Sequence, residues 1–175
     1  VYYTAFKKGY SPDTVVFDLP TEFTANNPLC PLQVDFINED DACFHPHNFD
    51  GFFRGPVNLR NALAQSINIP AVKTLYLAGI DNTLKTAREF GIATLTERSR
   101  YGLSLVLGRG EIKLLELVGA YSVFAQDGIQ HPETFILSIT NAQGETLETY
   151  RDRPREVADR QSIRLVNDIL TDIQA

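Results

Sequence analysis

The stretch NLRNALAQSINIPAVKTLYL, from Asn58 to Leu77, contains two apolar segments separated by the triplet Ser66-Ile67-Asn68, in which Ser66 and Asn68 are polar. Apolar residues recur at helical spacing on both sides of the triplet. They are Leu59, Ala62 and Leu63 before it, and Ala71, Val72, Leu75 and Leu77 after it. We therefore predict two helices joined by a tight polar connection.

This connection has two interpretations. A serine and an asparagine two residues apart can both point into a cleft, where they offer a hydroxyl and an amide group to a ligand. Alternatively, Asn68 is a good N-cap for a helix with Pro70 in its first turn, and Ser66 is an ordinary helix-end residue. The triplet alone favours capping, because motifs this short occur by chance.

Length and composition indicate one soluble globular unit. The chain has 175 residues, 43% hydrophobic and 22% charged, with a formal net charge of -6. An acidic chain argues against nucleic acid as a partner, since proteins that bind phosphate backbones concentrate Lys and Arg on one face. No apolar run approaches the roughly 20 residues that span a bilayer, so any membrane anchor is expected outside these residues.

Both ends of the sequence have helical character. VYYTAFKKG ends in the manner of a helix, with Lys7 and Lys8 near the negative end of the dipole and Gly9 beyond them. Gln161 to Ala175 has apolar residues at helical spacing, namely Ile163, Val166, Ile169, Leu170 and Ile173. Because no N-cap precedes the first helix and no stop signal follows the last, we expect the chain to be part of a longer protein.

Between these ends the sequence predicts a mixture of strands and helices. TVVFDL and LQVDFI are candidate strands in an extended segment that runs to about Pro56. Helices are predicted at about 57–65, 70–78 and 82–90, and a β-hairpin around Asn141 to Gly144. EIKLLELVGAYSVFAQDG predicts a further helix whose large apolar residues face largely inward: Leu114, Leu115, Leu117, Val118, Tyr121 and Phe124.

Four blocks of the sequence resemble a known family. GYSPDTVVFDLPTEF, FHPHNFDGFFRGPVNLRNALAQSINIPAVKTL, YGLSLVLGRGEIKLLELVGAYSVFAQDG and RLVNDILTD occur in the order found in the transpeptidase domain of class A (bifunctional) penicillin-binding proteins. The resemblance spans nearly the whole chain and is most specific in the second block. The signature of this family consists of S-x-x-K, S-x-N and K-T-G motifs.

The resemblance implies an α+β fold of the serine β-lactamase type, represented by a single incomplete transpeptidase domain over residues 1–175. Its parts are expected as follows: the end of the nucleophile-bearing helix at 1–9, an extended segment at 10–56, a helical subdomain with the S-x-N motif at 57–128, a β-hairpin at 133–151 and a helix at 160–175.

The resemblance also implies roles for Ser66 and Asn68 as the first and last residues of the S-x-N motif. Enzymes of this family acylate a serine with the penultimate D-Ala of a peptidoglycan stem peptide, and β-lactams acylate the same serine. Ser66 would relay a proton for the nucleophile and its lysine, while Asn68 would hold the substrate carbonyl and steady the lysine. No cofactor or metal is implied, and an extracytoplasmic location is expected.

Two of the three motifs are missing from these residues. No serine is followed by lysine three positions later, and no Lys-Thr-Gly occurs. The missing motifs are expected on either side of the chain, so we expect the chain alone to be inactive. The alternatives are a peptidoglycan-binding or partner-binding module that has lost the nucleophile, and an unrelated helical interaction domain.

Other conspicuous residues allow several interpretations. Cys30, Cys43, His45 and His47 form a C-x12-C-x-H-x-H pattern with donors suited to zinc, but neither a CxxC pair nor an H-x3-5-H pair is present. An exported protein favours a Cys30–Cys43 disulfide, with two free thiols as the remaining possibility. We expect Asp50 to be a turn residue, Tyr101 to lie in the core and Arg109 to lie on the surface.

Overall fold

In a computed structural model of the chain, the structure describes residues 1–24, 26–30, 34 and 42–174. The helices among these residues are α1 (Tyr2–Lys7), α2 (Leu59–Ala64), α3 (Asn68–Ala78), α4 (Ile80–Glu89), α5 (Leu114–Ala125) and α6 (Arg160–Thr171). The strands are β1 (Val15–Asp18), β2 (Gly55–Asn58), β3 (Ile129–Gln130), β4 (Ser138–Thr140), β5 (Thr146–Thr149) and β6 (Arg155–Glu156). Two short 3₁₀ helices, Arg98–Arg100 and Leu103–Leu107, precede α5.

The candidate strand TVVFDL is confirmed as β1, which pairs antiparallel with β2. Val16 lies opposite Val57 in this register, and both side chains are buried. The prediction of helix from residue 57 was wrong, because Val57 and Asn58 belong to β2 and the helix begins at Leu59. The second candidate strand, LQVDFI, lies outside the described residues except for Val34.

Helix α3 lies at the centre of the helical part of the molecule. Its Ile69, Val72 and Leu75 are completely buried, and its neighbours include α1, α2, α4 and β1. Helix α1 ends as the sequence predicted: the N–H of Gly9 donates to the carbonyl of Phe6, and Gly9 has a φ of +99°. This geometry is typical of a glycine at the C′ position of a helix.

Helix α5 occurs where the sequence predicted it, but its orientation differs from the prediction. Its buried residues are the small Gly119, Ala120 and Val123. Phe124 packs edge-on against Phe90, with ring centroids 5.5 Å apart. The other large apolar residues are exposed, from 38% for Leu117 to 75% for Leu114. A helix that is apolar on all sides has no periodic signal that selects one face, so close packing of small residues decided the orientation.

The predicted hairpin is confirmed, since β4 and β5 pair antiparallel around Asn141 to Gly144. The charged segment before α6 is largely exposed, although Arg155 and Glu156 pair with β3. In α6, Ile163, Val166 and Ile169 are buried, whereas Leu170 is 55% exposed and Ile173 lies beyond the helix end. Among the described residues, no helix has the length and apolar character needed to cross a membrane.

Candidate functional site

Ser66 lies in the tight connection between α2 and α3. Its N–H donates to the carbonyl of Leu63 at 3.1 Å, and the N–H of Ile67 donates to the carbonyl of Ala62 at 3.0 Å. These two bonds form a Schellman motif, which closes α2 and places Ser66 at its C′ position. Ser66 accordingly has a left-handed backbone, with a φ of +54°.

A serine is an unusual choice at this position. The left-handed conformation costs an L-residue about 1–2 kcal/mol, whereas glycine adopts it freely and dominates the C′ position. Ser66 is exposed, and its hydroxyl has no hydrogen-bond partner in the part of the chain that the structure describes. Backbone strain without a local bond to compensate it is a reason to look for a function in the side chain.

Asn68 does not cap α3, so the capping interpretation of this residue was wrong. The N-cap position is occupied by Ile67, and Asn68 is the first residue of the helix. The side-chain amide of Asn68 instead donates to the backbone carbonyl of His47 at 2.7 Å. The S-x-N turn is therefore held by a segment that lies 21 residues earlier in the sequence.

The cap of α3 comes from the same distant segment. Asn48, which follows His47, accepts a hydrogen bond through Oδ1 from the N–H of Ile69, at 3.2 Å. Sequence reasoning assigned no role to His47 or Asn48 in this site. The available signal was their position in HPHNFDG, the block where the resemblance to known proteins is most specific, but nothing in that block indicates which helix it contacts.

The two cysteines form a disulfide. Cys30 and Cys43 are bonded through their sulfur atoms, and their Cα atoms are 5.5 Å apart. The predicted bridge is confirmed, and the zinc interpretation fails because both sulfur atoms are already bonded to each other. Glu22 lies within 4.8 Å of these sulfurs, but the disulfide accounts for the grouping.

The buried carboxyl of Glu22 organises the loop beside the disulfide. It accepts hydrogen bonds from the hydroxyl and N–H of Thr24 and from the N–H of Phe44, and it lies 2.8 Å from Nδ1 of His45. Burial raises the pKa of Glu22, but these hydrogen bonds outweigh burial and lower the pKa from 4.5 to about 2. The carboxylate therefore joins residues 22–24 to the segment that leads to His47 and Asn48.

The remaining candidates have the positions that the sequence predicted. The carboxylate of Asp50 accepts from the N–H of Phe52 at 3.1 Å, as expected of a turn residue, and forms an exposed ion pair with Arg54. Tyr101 is buried and Arg109 is exposed.

Known proteins similar to this chain are penicillin-binding proteins. The chain is 33% identical over 172 residues to penicillin-binding protein 2D of Bacillus subtilis, an alignment that covers 98% of this chain and 23% of that protein. The chain spans less than a quarter of the length of the curated relatives it matches. No protein-family model matches the sequence.

Solved structures of penicillin-binding proteins have a similar backbone. Penicillin-binding protein 1A of Haemophilus influenzae matches with a TM-score of 0.69 at 27% identity, over 90% of this chain and 21% of that one. Penicillin-binding protein A of M. tuberculosis, solved as a ceftriaxone acyl-enzyme complex, matches with a TM-score of 0.73 at 17% identity, over 96% of this chain and 39% of that one.

Proposed function

Because this chain belongs to the penicillin-binding protein family and has the fold of its transpeptidase domain, we propose that it is the S-x-N-bearing part of a longer peptidoglycan transpeptidase. The nucleophilic serine, its lysine and the K-T-G strand are supplied by other parts of that protein. In this division residues 1–9 end the nucleophile's helix and residues 57–128 form the helical subdomain. The hairpin at 133–151 and the helix α6 complete it.

The reaction is acyl transfer through a serine ester. The nucleophile attacks the carbonyl of the penultimate D-Ala of a stem peptide and releases the terminal D-Ala. An amine from a neighbouring strand then takes the acyl group. A serine hydroxyl is a poor nucleophile until its proton is removed, and the leaving amine requires a proton in return. Such a site needs a proton relay and a group that orients the substrate.

Ser66 and Asn68 have the properties that these two roles require. We assign the relay to Ser66, because its exposed hydroxyl is held at a left-handed residue that glycine would occupy at lower cost. This is the observation that carries the proposal. We assign substrate orientation to Asn68, whose amide is only partly exposed and is fixed on one side by the carbonyl of His47. β-Lactams, as mimics of the D-Ala-D-Ala terminus, are the expected inhibitors.

The proposal places the protein on the outer face of the cell membrane, where peptidoglycan is cross-linked. The Cys30–Cys43 disulfide supports this location, since disulfides persist in oxidising compartments and are rare in the cytosol. The membrane anchor would lie outside these residues. No step of the proposed reaction needs a cofactor.

The test is acylation by a fluorescent penicillin in the complete protein that carries this chain. Ser66→Ala and Asn68→Ala should each slow acylation by about 10²-fold or more, the usual scale for a positioned proton-transfer or orienting group. A complete protein without an acylated serine supports the non-catalytic binding module instead. Normal acylation in both variants removes Ser66 and Asn68 from the mechanism.

A further inference from the structure

Asn48 is a buried amide at the point where three segments meet. It is 4% exposed, and its Nδ2 donates to the two carboxylate oxygens of Asp18 at 2.7 and 2.9 Å. The same nitrogen donates to the backbone carbonyl of Phe52 at 2.7 Å. On its other side, Oδ1 accepts from the N–H of Ile69. Every polar atom of the amide therefore has a partner.

The orientation of this amide is determined by Asp18. Asp18 is completely buried at the end of β1, and it also accepts from the N–H of Arg54 at 3.0 Å. Its position on the inward face of the strand, two residues after the buried Val16, is unusual for an acidic residue. A carboxylate and a carbonyl can only accept, so the nitrogen of Asn48 must face them and the oxygen must face α3.

Two cationic side chains lie beside this arrangement. The Arg54 guanidinium is 3.8 Å from Asp18, and Lys73 on α3 donates to the carbonyl of Phe17 at 2.6 Å. Lys73 thus joins the end of β1 to α3 directly, in addition to the connection that Asn48 makes between Asp18 and α3. The Arg54 contact joins the segment before β2 to the end of β1, and the Lys73 contact keeps β1 and α3 in a fixed relation, with Asn48 between them.

The geometry points to Asn48, oriented by Asp18, as a positioning residue for the S-x-N motif. The neighbouring residues His47 and Asn48 each form a hydrogen bond to the start of α3. The carbonyl of His47 accepts from the side chain of Asn68, and the side chain of Asn48 accepts from the backbone N–H of Ile69. Displacement of Asn48 therefore moves both the turn and the Asn68 amide. Asn48 acts through Asn68 rather than on the substrate, so this inference rests on the proposed function of Asn68.

An exchange of the two polar residues tests this inference in the complete penicillin-binding protein. Asn48→Asp removes the donor and places a second carboxylate against Asp18 in a buried site. In the double variant Asp18→Asn with Asn48→Asp, the amide and the carboxylate change places. The new amide at position 18 then donates to the new carboxylate at position 48, and that carboxylate accepts from the N–H of Ile69. The carbonyl of Phe52, which accepts from Asn48 in the wild type, lacks this donor in the exchange.

The readout is the acylation rate constant per active molecule, measured with a fluorescent penicillin well below the melting temperature. The single variant should lose about tenfold or more, and the exchange should regain at least about threefold of this loss, because the pairing of positions 18 and 48 and the bond from Ile69 return while the bond to Phe52 does not. Recovery of the rate would show that the pair acts by orientation. If Asn48→Asp does not fold, Asp18→Asn takes its place with the same expected loss.

Asp159→Ala is the matched control, because Asp159 caps α6 by accepting from the N–H of Ser162 at 2.8 Å. Its loss should lower the melting temperature and leave the rate per active molecule unchanged. A folded single variant with the wild-type rate overturns the inference, as does an exchange that regains stability but not rate. The acylation rate of Asn68→Ala is measured in parallel. If that variant also acylates at the wild-type rate, the proposed function of the motif fails. If Asn68→Ala acylates slowly and the Asn48 variants acylate normally, only the positioning role of Asn48 is removed.

Discussion

The side-chain amide of Asn68 donates a 2.7 Å hydrogen bond to the backbone carbonyl of His47. This bond joins the start of α3 to a loop that follows the Cys30–Cys43 disulfide by only a few residues. The conformation of the S-x-N turn therefore depends on a part of the chain that is distant in sequence. Substitutions in the turn and in the loop can therefore distinguish residues that take part in acylation from residues that only stabilise the fold.

Ser66→Gly should make the protein more stable and less active. Glycine relieves the left-handed backbone at φ +54°, so we expect the free energy of unfolding to rise by about 0.5–1 kcal/mol, after allowance for the greater flexibility of glycine in the unfolded chain. Loss of the hydroxyl should slow β-lactam acylation of the complete protein by about 10²-fold or more. Denaturant titration and acylation kinetics measure the two effects.

Ser66→Ala is the control for this prediction, because alanine keeps the strain and removes only the hydroxyl. We expect it to leave stability nearly unchanged and to slow acylation as much as Ser66→Gly does. A lower melting temperature with normal acylation in both variants would mean that Ser66 serves the fold alone.

The 175-residue chain by itself should not form a covalent adduct with a labelled penicillin. None of its serines has a lysine three positions later, so no hydroxyl is paired with the base that would activate it. Intact-mass spectrometry after incubation with penicillin should show the unmodified mass. A stoichiometric acyl adduct would contradict the proposed division of the motifs.

Glu22 should make the stability of the protein sensitive to acid. Its pKa is about 2 in the folded protein and 4.5 ordinarily, so its contribution is complete above pH 4.5 and is lost as the pH falls through about 2. The shift corresponds to at most about 3 kcal/mol. Glu22→Gln should therefore destabilise the protein at neutral pH and flatten the fall in stability between these pH values, as measured by urea unfolding. Parallel pH profiles for the two proteins would contradict the assignment.

Removal of the disulfide should lower the free energy of unfolding by about 2–3 kcal/mol, because the bridge restricts a loop in the unfolded chain. The bridged cysteines are separated by 13 positions. Cys30→Ser with Cys43→Ser should match the reduced wild type and should not respond to reductant. Equal stability of oxidised and reduced wild type would show that the loop gains nothing from the bridge.

The sequence by itself determined the local elements. Apolar periodicity located α3 and α6, the glycine after Lys7 and Lys8 located the end of α1, and the Asn141 to Gly144 turn located the hairpin. These signals depend on near neighbours in the chain, which is why they can be read without the fold. The resemblance to the penicillin-binding transpeptidase domain was also a property of the sequence, and similarity in sequence and backbone confirmed it.

Only the tertiary structure decided which distant residues serve the turn and which face of α5 is buried. The sequence could not show that Asn48 caps α3 or that Asp18 orients it, because these bonds join residues 21 and 30 positions apart. It could not choose between the faces of α5, since both are apolar and only packing around Gly119 and Ala120 separates them. Local patterns specify helices and turns, whereas long-range packing determines the partners of a buried polar group. Each such group needs a hydrogen bond once it is buried, and the residue that supplies it can be distant in the sequence.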